Sequence, residues 1–294
     1  MPLTDVRNKV AVITGGASGI GLAMARRFKR EGMRLVLADA ETEPLQQAAA
    51  ELDAPDLGVL AVLTDVRDPA SLDALARATL ERFGAAHLLC NNAGVSRMAG
   101  HDRLTDQDWR WLFDVNLFGV VNGVRSFLPL LKANPEGGHI VNTASLSGLM
   151  ATRSQAAYAA SKYAVVGFSE VLALELAAEG SGVGVTAVCP GPVRTNISSS
   201  ARNRAPEYGQ ADTSNPAPDI HERAFRAELT DDQWATADQI ADQAFDAVLT
   251  GQFWVITHPG MMAPVDARHS AIMAAASPPT PASRVLPPEG EDPD

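Results

Sequence analysis

Tyr158 and Lys162 stand four residues apart in Tyr158-Ala159-Ala160-Ser161-Lys162. On a helix this spacing brings both side chains to one face, where a phenol and an ammonium can act on a single atom. A free phenol titrates near pH ~10. A fixed cation beside it favours the phenolate and moves it toward working pH, which makes a proton-transfer group. The chain has three tyrosines and four lysines (Lys9, Lys29, Lys132 and Lys162), so such a pair seldom arises by chance. On its own it could still be two neighbours on the exposed face of an amphipathic helix.

A second constellation lies near the start of the chain. The apolar run Val10 to Thr14 leads straight into Gly15-Gly16-Ala17-Ser18-Gly19-Ile20-Gly21, where a helix should begin. Glycines allow a tight turn and let bare backbone approach a pyrophosphate, whose charge the positive helix end holds. The spacing Gly-x3-Gly-x-Gly departs from the commoner Gly-x-Gly-x-x-Gly, and a lone glycine turn proves little. Asp39 adds weight. It ends the next apolar run, close to the ~20 residues downstream at which an acid meets the adenosine ribose hydroxyls of a dinucleotide. A carboxylate there accepts from a free 2′-hydroxyl and repels a 2′-phosphate. The nearby Ser18 and Ala40 supply no cation, so the expected cofactor is NAD rather than NADP.

The elements that must position these groups are legible as a rhythm. Short apolar runs at Val10 to Thr14, Arg34 to Ala38, Val59 to Thr64, His87 to Asn91, His139 to Ala144, Val183 to Cys189 and Phe253 to Thr257 read as strands. Helical patterns fill the gaps at Gly19 to Glu31, Glu43 to Leu52, Ala70 to Phe83, Asp106 to Lys132, Ala156 to Glu179 and Thr236 to Leu249. This alternation implies an α/β fold, a doubly wound parallel sheet in a single domain, with ligands beyond the carboxyl ends of the strands. A length of 294 residues and 46% hydrophobic content suit one such domain.

Two segments break the rhythm. Asn196 to Asp232 is polar and too long for a plain connection, so a mobile substrate lid is expected there, within a dinucleotide-binding domain spanning 1–260. Residues 261–294 read as a C-terminal extension. Its tail, from about Ser277, is dense in Pro, Glu and Asp, lacks periodicity and is expected to be disordered. A net charge of -11 argues against nucleic acid or an anionic membrane as partner. No signal segment and no apolar run of ~18 residues is evident, which reads as a soluble cytoplasmic protein. The six histidines are scattered without ligand spacing, so no metal is expected.

Taken in order, Thr14-Gly15-Gly16-Ala17-Ser18-Gly19-Ile20-Gly21, Asp65-Val66, Asn91-Asn92-Ala93-Gly94, Asn116, Ser145, Tyr158-x3-Lys162 and Pro190-Gly191-Pro192-Val193-Arg194-Thr195 resemble the motif series of the short-chain dehydrogenase/reductase family. The match runs from about Lys9 to Thr257. The resemblance implies a Rossmann-type sheet of seven strands in order 3-2-1-4-5-6-7. It casts Tyr158 as general acid/base, with Lys162 lowering its pKa and holding the nicotinamide ribose. Ser145, thirteen residues before Tyr158, would donate to the substrate oxygen, and Asn116 would support a proton-relay water near Lys162. Asp65 and Val66 would border the adenine, while Asn92, Ala93 and Gly94 would line the adenosine ribose and central strand. Asn91 reads as structural. Pro190, Gly191, Val193 and Thr195 would hold the nicotinamide carboxamide. In that strand order Cys90 and Cys189 are separated by one strand, ~9.6 Å apart, so both should be free buried thiols.

The substrate is the least legible part. Arg153, Arg194, Arg202 and Arg204 could grip an anion, whereas Leu146, Leu149, Met150, Met261 and Met262 could line an apolar pocket. The expected substrate is an uncharged hydrophobic secondary alcohol or its ketone. Thr195-Asn196-Ile197 followed by Arg202-Asn203-Arg204 resembles bacterial members of the family that oxidise bulky aromatic or alicyclic alcohols. A ketoreductase for carrier-bound acyl chains is a rival, though it calls for NADPH and a basic docking patch. A dinucleotide-binding sensor without chemistry is another, though such a protein should lack Tyr158, Lys162 or Ser145. The resemblance also implies a homotetramer or homodimer, with the helices Asp106 to Lys132 and Ala156 to Glu179 pairing between copies.

Overall fold

Strands form where β-branched and apolar residues run together, because both faces of each run can then be buried. The computed structural model describes residues 3–53, 58–209 and 227–278. It contains β1 (Val10–Thr14), β2 (Arg34–Asp39), β3 (Val59–Leu63), β4 (Leu88–Asn91), β5 (Gly138–Thr143), β6 (Val183–Cys189) and β7 (Trp254–Ile256). They pair in the order β3-β2-β1-β4-β5-β6-β7, every ladder parallel, as the family resemblance implied. Successive side chains take opposite faces. Ala11 and Ile13 enter one apolar layer with Phe28 and Phe245, while Val10 and Val12 enter the other with Trp111 and Phe127.

Eight α-helices cover the sheet among the described residues: α1 (Gly19–Arg30), α2 (Thr42–Leu52), α3 (Pro69–Phe83), α4 (Asp106–Phe113), α5 (Gly119–Ala133), α6 (Ala156–Ala178), α7 (Ala237–Thr250) and α8 (Ala263–Met273). Local chemistry fixes their ends. Thr105 with Asp108, and Thr236 with Gln239, form reciprocal capping boxes at α4 and α7. None of these helices is long and apolar enough to cross a membrane.

The structure departs from the sequence reading in three places. The single helix expected over Asp106 to Lys132 is divided by a wide π-turn, Asp114–Phe118, in which the Gly119 N–H reaches back five residues to the Asp114 carbonyl. Helical periodicity persists through such a turn, which is why the pattern read as continuous. The C-terminal extension contains α8, which the sequence reading did not give. The segment after Asn196 begins as short 3₁₀ turns, Ile197–Asn203 and Pro206–Tyr208, docked on the body. The remainder of the expected lid, 210–226, and the tail, 279–294, lie outside the described residues. Cys90 and Cys189 are free and buried, as expected.

Candidate active site

The strand carboxyl ends open onto one cleft, and the glycine turn forms its floor. Gly15 has φ +64°, and a Cβ there would lie 2.9 Å from the Ala93 Cα. A Cβ on Gly21 would lie 2.1 Å from the Gly15 carbonyl oxygen, so the turn closes only without side chains at these two positions. The Thr14 hydroxyl ties the turn to β4, accepting from the Asn92 N–H at 3.0 Å and the Ala93 N–H at 3.1 Å. Asn92 returns the link, its Nδ2 donating to the Thr14 carbonyl at 3.1 Å. Ser18 occupies the N-cap of α1 without a side-chain cap bond, leaving its hydroxyl to the cleft.

Asp39 ends β2 and clamps the same turn. It accepts from the Ala17 N–H at 3.0 Å and the Glu41 N–H at 3.1 Å. Burial raises its pKa above the ordinary carboxylate value, while those N–H groups pull the other way. Asp65 faces the opposite balance. Burial works against its charge, but hydrogen bonds from Arg67, including Nη2 at 2.5 Å, hold its pKa below the ordinary value. Bare glycine backbone, a helix N-terminus and a half-buried carboxylate after β2 are what a dinucleotide's pyrophosphate and ribose require, so the residues present fit that group.

At the far end of the cleft stand Ser145, Tyr158 and Lys162, all buried. Lys162 is one turn below Tyr158 on α6, and its Nζ donates to the Thr143 carbonyl at 2.9 Å. That ammonium lies 5.9 Å from the centroid of the phenol ring. Burial lowers the Lys162 pKa to about 8. Burial also raises the Tyr158 phenol, with the Ser145 hydroxyl as the partner that opposes the shift. The expectation that Lys162 brings the phenol toward neutrality is therefore not met here. The lysine's ammonium is turned to the Thr143 carbonyl at the end of β5, and desolvation of the phenol outweighs the Ser145 hydrogen bond. The Ser145 hydroxyl oxygen accepts from the Ser147 N–H at 3.1 Å, and its proton faces the Pro190 carbonyl at 3.4 Å as well as the Tyr158 phenol.

Asn116 does not line the cleft. The π-turn carries its side chain against Val95, whose N–H it accepts at 2.8 Å, and against Ser161, to whose Oγ it donates at 3.0 Å. It thereby ties the stretch after Asn92-Ala93-Gly94 to the turn of α6 between Tyr158 and Lys162, a positioning role. Asn91 is buried and donates to Asn142 at 2.9 Å, consistent with its structural reading. Of the other expected cofactor residues, Gly15, Gly19, Ile20, Val66, Asn92, Ala93, Gly94, Pro190, Gly191, Val193 and Thr195 line the cleft, while Gly21 packs beneath it.

Several lining residues escaped the sequence reading: Glu41, Thr64, Arg67, Val115, Thr143 and Ser200. Glu41 and Thr143 adjoin expected positions, so proximity could have found them. Arg202 was expected as an anion grip for the substrate, and no local pattern announces its place on Glu41 beside Asp39. Of the arginines considered as anion grips, Arg194 pairs with Asp231 at 2.8 Å, Arg202 with Glu41 at 2.8 Å, and Arg204 with Asp108.

A parallel sheet of this order, with its cleft at the strand carboxyl ends, is that of the Rossmann-type nucleotide-binding proteins. Residues 9–206 match the family model described as short chain dehydrogenase, and the chain belongs to that family. Among solved structures it is similar to a short-chain dehydrogenase/reductase from Burkholderia phymatum in complex with NAD, at 37% identity and a TM-score of 0.90 over 95% of this chain and 99% of that one. Among curated proteins it is 37% identical to a 1-deoxy-11-beta-hydroxypentalenate dehydrogenase from Streptomyces exfoliatus, over 73% of this chain and 78% of that one. It is 36% identical to a C alpha-dehydrogenase from Sphingobium sp. SYK-6, over 70% of this chain and 68% of that one.

Proposed function

We propose that the protein transfers a hydride between NAD and an uncharged, bulky secondary alcohol or its ketone. The observation that carries this reading is the placement of Ser145, Tyr158 and Lys162 in the same cleft as the glycine turn and Asp39. Bound NAD would supply the hydride acceptor at carbon and add positive charge beside the phenol. Tyr158 takes the proton from the substrate hydroxyl at its Oη, or returns it in the reverse direction. Ser145 is held by the Ser147 N–H beside Tyr158, and its hydroxyl can turn from the long Pro190 contact to donate to the same substrate oxygen as charge develops there. Lys162, fixed by the Thr143 carbonyl, holds its ammonium one helical turn from Tyr158, where it supports the phenolate once the phenol ionises.

Support for an uncharged substrate comes from Arg194, Arg202 and Arg204, each already committed to a carboxylate. Leu146, Leu149, Met150, Met261 and Met262 pack in one apolar cluster beyond Ala144, beside Ser145. The two curated relatives are both named dehydrogenases, one of them of a hydroxypentalenate, which suits a hydroxyl-bearing substrate. Asp39 supports NAD over NADP, and the fold suits a homodimer or homotetramer. A panel of alicyclic and aryl secondary alcohols, followed by NADH absorbance with NAD and with NADP, tests the proposal. NADH should form with at least one alcohol, and equal or better use of NADP would defeat the cofactor assignment.

A further inference from the structure

Glu41 and Arg202 are 161 residues apart in sequence, yet they meet at the rim of the cleft beside Asp39. Arg202 Nε donates to one carboxylate oxygen of Glu41 at 3.0 Å and Nη2 to the other at 2.8 Å, a bidentate pair. Asn203 Nδ2 donates to Glu41 as well, at 3.0 Å. The Glu41 N–H in turn donates to Asp39 at 3.1 Å, so the guanidinium belongs to the same hydrogen-bonded set as the carboxylate that faces the adenosine ribose. A cation at this rim is what a 2′-phosphate needs, and the chain does place one there. The sequence near Asp39 contains none, because this one arrives from the segment after β6.

We propose that Glu41 determines cofactor choice by acting through Arg202: it occupies the Nε–Nη2 edge of the guanidinium and so withholds it from the 2′-phosphate of NADP. This deepens the NAD-dependent reading above and rests on it. The second half of the argument is what holds Arg202 from behind. Its Nη1 donates to the Asn196 carbonyl at 3.3 Å, to the Ser199 carbonyl at 3.0 Å and to the Ser199 hydroxyl at 3.0 Å. The guanidinium is therefore fixed by its own 3₁₀ turn as well as by Glu41. Removing the charge of Glu41 leaves the cation in place and uncompensated, and replacing one carboxylate oxygen by an amide nitrogen frees one of the two donors. Asp39 then repels a 2′-phosphate alone, against a cation within the same rim. The Arg202 pair also holds the Glu41 pKa below its ordinary value, so the partnership persists across neutral pH.

The test is binding rather than turnover: dissociation constants for NAD and NADP by titration calorimetry on the full chain. Four proteins are needed, namely wild type, Glu41→Gln, Arg202→Ala and the double variant. Glu41→Gln keeps size and one acceptor oxygen while removing the charge, and its melting curve checks that it folds. The NADP-to-NAD ratio of dissociation constants should fall at least about tenfold in Glu41→Gln, equivalent to ~1.4 kcal/mol. It should return to the wild-type value in the double variant. A smaller change, or one that survives loss of the guanidinium, overturns the proposal. Wild-type protein that binds NAD with an unmoved ratio in the variants defeats Glu41 alone, whereas wild type that binds neither dinucleotide defeats the NAD reading beneath it.

Discussion

Tyr158 lies buried, and desolvation pushes its phenol above the ordinary value, so the proposed proton transfer calls for a countercharge in the cleft. Tyr158→Phe removes that oxygen and little else. Turnover should be abolished while NAD binding, followed by quenching of protein fluorescence, stays near wild type; retained turnover would remove Tyr158 from the chemistry. Ser145→Ala should lower kcat by about 10²-fold to 10³-fold, roughly 3 kcal/mol, with a smaller effect on KM, as for other oxyanion donors. An unchanged kcat would reduce Ser145 to its turn role, accepting from the Ser147 N–H. At this scale most of the site was legible. Four-residue spacing, a serine at a strand end and an acid after β2 are local facts, and local facts survive folding. The direction of the Tyr158 shift was not, because spacing gives proximity to Lys162 but not how deeply either group is desolvated.

His139, at the start of β5, shows how an element carries a protonation state that no pattern reveals. Thr186 gives its hydroxyl proton to the Gln252 carbonyl at 2.7 Å, so the His139 Nε2, 2.8 Å from the Thr186 oxygen, must be the donor of that pair. The other ring nitrogen, Nδ1, is buried without an acceptor. A proton there has nowhere to bond, and burial lowers the His139 pKa to about 4. The folded chain then binds fewer protons than the unfolded chain between about pH 6.5 and pH 4. Stability should fall as pH drops through that window, by up to ~3 kcal/mol from this residue, and level off below it. Thermal melts of wild type and His139→Asn across the window check this; equal slopes would exonerate the histidine. His87, also lowered to about 4 by burial, acts in the same direction. Strand positions were readable at this level because every strand is an apolar run between turn residues, whereas their order came only from the resemblance of the motif series. The break at Asp114–Phe118 was not, since an inserted helical residue preserves the apolar stripe on both sides. The one hint was Asn116, a poor helix former inside an otherwise helical stretch.

Over the whole molecule, the outer side of α6 leaves Val171 and Leu174 53% and 71% exposed, and Phe118 of the π-turn is 49% exposed. Apolar side chains so placed are expected to meet a second copy. Light scattering should find a dimer or tetramer for wild type, and Leu174→Glu should shift it to smaller species. A monomeric wild type would sink that expectation. Contacts that close the rim of the cleft, such as Arg202 with Glu41 and Arg67 with Glu207 at 2.5 Å, join segments more than a hundred residues apart. They follow from the way the segment after β6 crosses the cleft, so no window of sequence contains them. The wide turn before α5 has one more implication. Because α4 and α5 keep their apolar stripes across it, shortening the chain there by a single residue would give an ordinary continuous helix, still packed on the sheet. The grip of Asn116 on Val95 and Ser161 would go with it, so the extra residue of this turn is what couples the strand end at Gly94 to the turn of α6 that carries Tyr158 and Lys162.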